Sequence, residues 1–247
     1  VVIGSAELFG IVLPENFKRP FFSKSISEFW TRWHITLGTW FRDYIFYPIS
    51  MSKPMKRLTS KARKKIGNHF GPLIAGSIAL FVVWLFNGLW HGAGWHYICF
   101  GMYHFVLIAS ANAVEPYTKK LLEKLHIRRE EGGYKCFRIV RTALLVCIGE
   151  LIFRAGSLRI AMRMLKKMFT DFNFRSFTDG TLLNLGMDKY DFLIVAVSVL
   201  IVLVISIANE RGICIRQKLA EKKVVVRWAV VYGLILFCII FGAYGMN

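Results

Sequence analysis

The chain has 247 residues, is 55% hydrophobic with a mean hydropathy of +0.46, and carries a formal net charge of +18. Such apolarity excludes a disordered chain, and uncharged runs such as Phe192 to Ala208 exclude a basic nucleic-acid-binding domain. The composition fits an integral membrane protein, whose 21 Phe, 9 Tyr and 7 Trp serve bundle interiors and membrane interfaces.

The first segment, VVIGSAELFGIVLP, starts at Val1 without a methionine and has no charged n-region, so it reads as the tail of a spanning helix. The chain is therefore expected to be the later part of a longer protein, with one membrane domain over 1–247.

A helix is predicted from about Glu28 to Tyr47, opened by the capping box Ser25-x-x-Glu28. Trp30, Trp33, Leu37, Trp40, Tyr44 and Tyr47 recur at three-and-four spacing as one aromatic stripe, with Glu28, Arg32, Thr39 and Asp43 opposite. His34 falls at the edge of that stripe, beside Phe41 and Ile45. It is either a packing residue of an interfacial helix or a functional group.

Residues 53–65 hold Lys53, Lys56, Arg57, Lys61, Arg63, Lys64 and Lys65 and no acid, so they are expected as a cytoplasmic loop. Orientation and anionic lipid account for the cluster. Spans follow at Leu73 to Trp90, Trp95 to Val114, Ile139 to Phe153, Phe192 to Ala208 and Val224 to Tyr244. The alternation of basic loops then places 115–138 and 210–227 inside and 154–191 outside. The outer loop begins with a basic amphipathic helix, SLRIAMRMLKKMF, suited to the interface.

Between the first two of these spans runs Asn87-Gly-Leu-Trp-His91-Gly-Ala-Gly-Trp-His96. Gly88, Gly92 and Gly94 permit a turn and close backbone approach, which leaves His91 in or near the apolar layer. An ionisable side chain there is a functional-site candidate; the bland alternative is that His91 caps the turn. His91, His96 and His104 do not share one helix face at their spacing, so no metal site is expected. For His104 and Glu150 a helix-to-helix hydrogen bond suffices. The five cysteines are dispersed, and those within apolar runs are expected as buried thiols without a disulfide framework.

A histidine in a dry pocket suits one task, taking the proton from an acceptor hydroxyl as its oxygen attacks an activated acyl group. Attack on a thioester needs no serine nucleophile, and low dielectric strengthens each donor aimed at the developing oxyanion. Tyr44, Asn87, Trp90 and Arg42 are donors of the right kind.

The stretches LPENFKRPFFSKSISEFWTRWHITLGTWFRDYIFYPIS and FNGLWHGAGWHYICFGMYH, followed by ELIFRAGSLRIAMRMLKKMF, resemble the membrane-bound O-acyltransferase family, in particular its bacterial alginate O-acetylation and D-alanyl-lipoteichoic-acid branches. The resemblance runs from about Leu13 to Tyr103 and resumes at Glu150. It implies an all-α, polytopic transmembrane helix bundle with a central tunnel in the bacterial cytoplasmic membrane, here truncated at both ends. It implies His91, in the WHG motif, as the catalytic histidine and His34, in the RWH motif, as the second functional one, with Trp33, Arg42, Asp43 and Tyr44 matching the family pattern. An acyl thioester donor, acetyl-CoA or an acyl carrier protein, is then expected from the cytoplasm. The acceptor is expected outside, a hydroxyl of a cell-envelope polysaccharide or its carrier, served by a secreted esterase-fold partner that docks near Leu158 to Phe169. The wording RDYIFYPIS and GLWHGAGW looks nearer the alginate-type branch and favours acetyl transfer. D-alanyl transfer to teichoic acid is the alternative, beside a transporter, for which no paired interrupted helices are seen, or a non-catalytic assembly protein that would tolerate loss of His91.

Overall fold

The structure, a computed structural model, describes residues 2–171, 173–186 and 188–242. All regular elements among these residues are helical. The chain divides into two compact units, residues 1–171 and 172–247.

The first unit opens with α1 (Val2–Leu8) and then runs without regular structure to a single 3-10 turn at Pro20–Phe22. Helix α2 (Ile26–Arg32) starts at the predicted cap, where Ser25 Oγ accepts the Glu28 N–H at 3.1 Å. The Glu28 carboxylate reaches one residue further back than a capping box requires, accepting from the N–H of Lys24 at 2.9 Å and pairing with Arg32 at 2.7 Å.

The single helix expected over 28–47 does not form. Trp33 is extended and His34 left-handed (φ 45°, ψ 55°), after which α3 (Ile35–Phe41), a π-helical turn (Arg42–Phe46) and α4 (Tyr47–Ser50) follow. A distant strand of chain makes the break tenable. The N–H of Ile35 donates to the Asn16 carbonyl (3.0 Å), the N–H and hydroxyl of Thr36 donate to Asn16 Oδ1 (3.1 and 2.7 Å), and the N–H of Lys18 donates to the Arg32 carbonyl (2.9 Å). Asn16 thus satisfies the orphan donors at the start of α3 that a local cap would otherwise take. The aromatic stripe splits as a result: Trp30 and Trp33 pack against the core, while Trp40, Tyr44 and Tyr47 are exposed.

Residues 53–65, expected as a loop, are helical. They form the first arm of α5 (Lys53–Trp90), capped by Ser52 Oγ, which accepts from the N–H of Met55. Gly67 (φ 86°, ψ 177°) breaks α5 in a conformation that glycine alone adopts cheaply, and a Cβ on Gly71 would lie 2.5 Å from the Arg63 backbone, so the arm folds back tightly on the span. Helix α6 (Trp95–Lys124) returns beside α5. A Cβ on Gly88 would lie 2.5 Å from the Tyr97 carbonyl oxygen, and one on Gly101 would collide with the Trp84 carbonyl, so this hairpin packs backbone to backbone. Helix α7 (Gly132–Arg154) lies on α6, where the Tyr103 hydroxyl donates to the Leu145 carbonyl at 2.9 Å. The basic helix predicted after it is α8 (Leu158–Thr170), which buries Ala161 and exposes Leu158, Met162 and Phe169.

One core cluster joins Ile26 and Phe29 of α2 to Trp84, Ile108 and Val146; a second joins Phe100, Ile152 and Ala161. Trp30 packs against both.

In the second unit, α9 (Lys189–Glu210) starts from a capping box between Asp188 and Asp191. It is followed by α10 (Ile215–Ala220), inside the expected basic loop, and α11 (Val224–Phe241). Neither α9 nor α11 has a buried residue. The expected end of the last span, Tyr244, lies outside the described residues.

Helices α5, α6, α9 and α11 are long and apolar enough to cross a membrane. The span expected at Ile139 to Phe153 lies within α7, whose 23 residues give sufficient length but which, with Lys135, Arg138, Arg141, Glu150 and Arg154, does not join those four. The cysteines form no disulfide among the described residues; Cys99 is half-buried, and Cys136, Cys147, Cys214 and Cys238 are exposed, where those within apolar runs are expected to be buried. Glu150 is exposed as well, so the helix-to-helix hydrogen bond expected of it is not made.

Candidate active site

A cavity of about 370 Å³ lies between α2, α3, the π-helical turn and the α5–α6 hairpin. Four residues singled out in the sequence line it, Trp33, His34, Arg42 and Asn87, together with Trp30, Thr39 and Trp84.

The left-handed backbone at His34 swings its ring out of the helical path. Its Nδ1 is buried and, among the described residues, makes no hydrogen bond. Asn87, only 7% exposed, leaves Oδ1 in the same condition. Leaving a buried polar atom unpaired is costly, and two residues that carry such atoms line one apolar-walled cavity, which suits an occupant that brings hydrogen-bonding groups of its own.

Trp90 stands between the two candidate histidines. Its ring meets His34 at 5.9 Å and 81°, and His91 at 4.7 Å and 74°. His91 ends α5 and lies in the short connection between the spans, where its N–H donates to the Gly88 carbonyl at 3.2 Å. The imidazole is half-buried and packs edge-on against Phe153 at 4.7 Å, with Tyr97 and Phe100 beyond. Burial, and then the neighbouring His34, hold its pKa below the ordinary histidine value. His91 and Trp90 do not line the cavity that holds His34.

Of the other expected donors, Arg42 lines the cavity with its charge already engaged and Tyr44 does not line it. Arg42 Nε pairs with Asp43 Oδ1 at 2.9 Å, in a contact about half exposed on both sides. Tyr44 is 69% exposed with its ring against Trp40. Among the described residues no group of three His, Cys, Asp or Glu side chains is assembled for a metal.

The walls depend on residues that spacing did not single out. His104, 1% exposed, accepts a hydrogen bond at Nδ1 from Trp30 Nε1 (3.3 Å) and stacks on Trp84 at 5.3 Å, which makes it the helix-to-helix partner expected of it. Gly149 makes room for it, since a Cβ there would lie 2.7 Å from His104 Nε2. Phe17 packs edge-on to Trp33 at 4.9 Å and flanks His34, and Asn16 beside it holds the start of α3. In the sequence this clasp is marked by Asn16 within LPENFKRP, which has no helical or strand periodicity to show where it packs.

No family model matches the chain. Among curated proteins, it is 33% identical over 211 residues to the probable alginate O-acetylase of Azotobacter vinelandii, covering 85% of this chain and 36% of the relative. It is 38% identical over 118 residues to the teichoic acid D-alanyltransferase of Bacillus subtilis (strain 168), covering 48% and 27%. Over 168 residues it is 30% identical to the peptidoglycan O-acetyltransferase of Helicobacter pylori, covering 68% and 27%. The chain thus spans between 27% and 36% of the length of these three relatives.

Proposed function

Because this chain belongs to the membrane-bound O-acyltransferase family, we propose that it forms the histidine-bearing part of a membrane-embedded O-acyltransferase. The protein moves an acetyl group from a thioester donor, acetyl-CoA or an acyl carrier protein, to a hydroxyl of an extracytoplasmic cell-envelope polysaccharide or its carrier. It works in the bacterial cytoplasmic membrane with a secreted esterase-fold partner. One observation supports the reading above the rest, the placement of His34 and His91 on either side of Trp90, next to a cavity with unpaired buried polar atoms at His34 and Asn87.

In this reading His91 is the general base. Its neutral imidazole takes the proton from the acceptor hydroxyl as that oxygen adds to the thioester carbonyl, and the thiolate leaves when the tetrahedral intermediate collapses. His34 and Asn87 orient the reacting groups from the cavity wall, and Trp90, Trp33, Arg42, Asp43 and Tyr44 are supporting residues that shape the approach. A second reading, D-alanyl transfer to a teichoic acid, draws on the 38% identity to the Bacillus subtilis D-alanyltransferase.

The test is ester-linked acyl content of the cell envelope in cells complemented with full-length variants, normalised to protein in the membrane fraction. His91→Ala is expected to lower the rate on the order of 10² to 10⁴, the usual contribution of a positioned general base. His34→Ala should be severe and His126→Asn, in an exposed turn, mild. Near-normal acylation by the His91 variant refutes the assignment. Release of acetate or of D-alanine by mild base separates the two donors.

A further inference from the structure

A larger concavity, about 700 Å³, lies between α5 and α6 and shares no residue with the cavity at His34. Its α5 wall is one helical face that includes Phe70, Ile74, Ile78 and Phe81. Its α6 wall is Phe105 with Ala109 and Ala113, small side chains that give the groove its depth. Ser77 is the one polar side chain in the lining.

Both ends are marked by aromatic pairs. Phe81 and Phe105 meet at 5.5 Å at one end, and Phe70 and Tyr117 at 6.5 Å at the other. From Phe70 to Phe81 a helix rises about 17 Å, close to one leaflet of a hydrocarbon core roughly 30 Å thick.

The charge lies at the Phe70 end. There Gly67 turns the chain into the basic arm 53–66, whose Lys53, Lys56, Arg57, Lys61, Arg63, Lys64 and Lys65 are all exposed. No carboxylate of the described residues pairs with any of them. The acids of α6 at that end are engaged, Glu115 by Arg129 and Glu123 by Lys119.

We propose that this groove binds an anionic glycerophospholipid, with one acyl chain along α5 between Phe70 and Phe81 and the headgroup on the basic arm. A groove one leaflet deep, apolar along its length and cationic without counter-charge at its mouth, complements that molecule at both ends. A zwitterionic lipid would fill the apolar part equally well but would leave the cations unanswered.

The full-length protein in nanodiscs of mixed phosphatidylglycerol and phosphatidylcholine tests it, using either lipid with a photoactivatable acyl chain and mapping the cross-linked peptides. The phosphatidylglycerol probe should label 66–81 and 105–113 roughly tenfold more than the phosphatidylcholine probe. That preference should vanish in the surface variant K61Q/K64Q/K65Q, and Ser77→Phe, which fills the groove, should remove the label from both probes. Equal labelling by the two lipids would overturn the proposal, as would absence of label from these segments because another part of the longer protein covers them.

Discussion

Three histidines of this chain, His34, His91 and His104, sit within one aromatic cluster, and their surroundings give them different work. His104 is buried and bonded to Trp30, so its truncation belongs with core deletions that lower stability by a few kcal/mol. His34 keeps an unpaired nitrogen in a cavity, and His91 sits among rings with its pKa pushed down. The sign of that shift has a kinetic consequence. A general base works in its neutral form, so the acid limb of the rate profile should fall below the ordinary histidine value of about 6.5. Replacing His34 by Gln removes the second of the two influences lowering His91 and should move that limb up in pH, whatever it does to the maximal rate. The measurement is acyl transfer against pH in reconstituted full-length protein, and an unmoved midpoint would separate the two residues.

At the scale of elements, the α5–α6 hairpin rests on glycine at two crossing points. Gly101→Ala would drive a methyl into the Trp84 carbonyl and Gly88→Ala one into that of Tyr97, whereas Gly76, on the same α5, has open space around it. Both crossing variants should therefore lower the thermal midpoint in detergent and the yield in membranes, while Gly76→Ala should leave both unchanged or slightly raised. This hairpin was legible from Gly88, Gly92, Gly94 and the apolar runs on either side. The helix over 28–47 was not, because the break at Trp33 and His34 depends on Asn16, and helical periodicity carries no information about a strand of chain arriving from elsewhere. For the same reason Trp33, His34 and Arg42 could be nominated one by one, while the packing of the wall residue Trp30 on Trp84 and His104 rests on contacts across 54 and 74 positions. Residues 53–65 are helical where a loop is expected, because charge marks a segment as solvated, which is equally true of a basic helix.

For the whole molecule, the path of the chain through the membrane turns on α7. Four helices meet the length and composition of a span and α7 does not, yet the alternation of basic segments needs α7 to cross. Single cysteines placed in full-length protein lacking its native cysteines, and challenged with an impermeant reagent outside intact cells, decide it. Lys61→Cys should stay unlabelled and Arg163→Cys should react. Protection at both positions would mean that α7 lies along the surface, with 154–171 on the same side as the basic arm.

The clasp around the aromatic segment also imposes an order in time. Lys24 hydrogen-bonds Glu130, which Arg138 also holds at 2.9 Å, and Arg141 donates to the Lys24 carbonyl, 117 positions away in the chain. During synthesis, Lys24 and the start of α2 therefore lack these partners until α7 has left the ribosome. A translational pause between 104 and 141 would prolong the interval in which Ile26 and Phe29 of α2 stand without Val146, open to water and lipid.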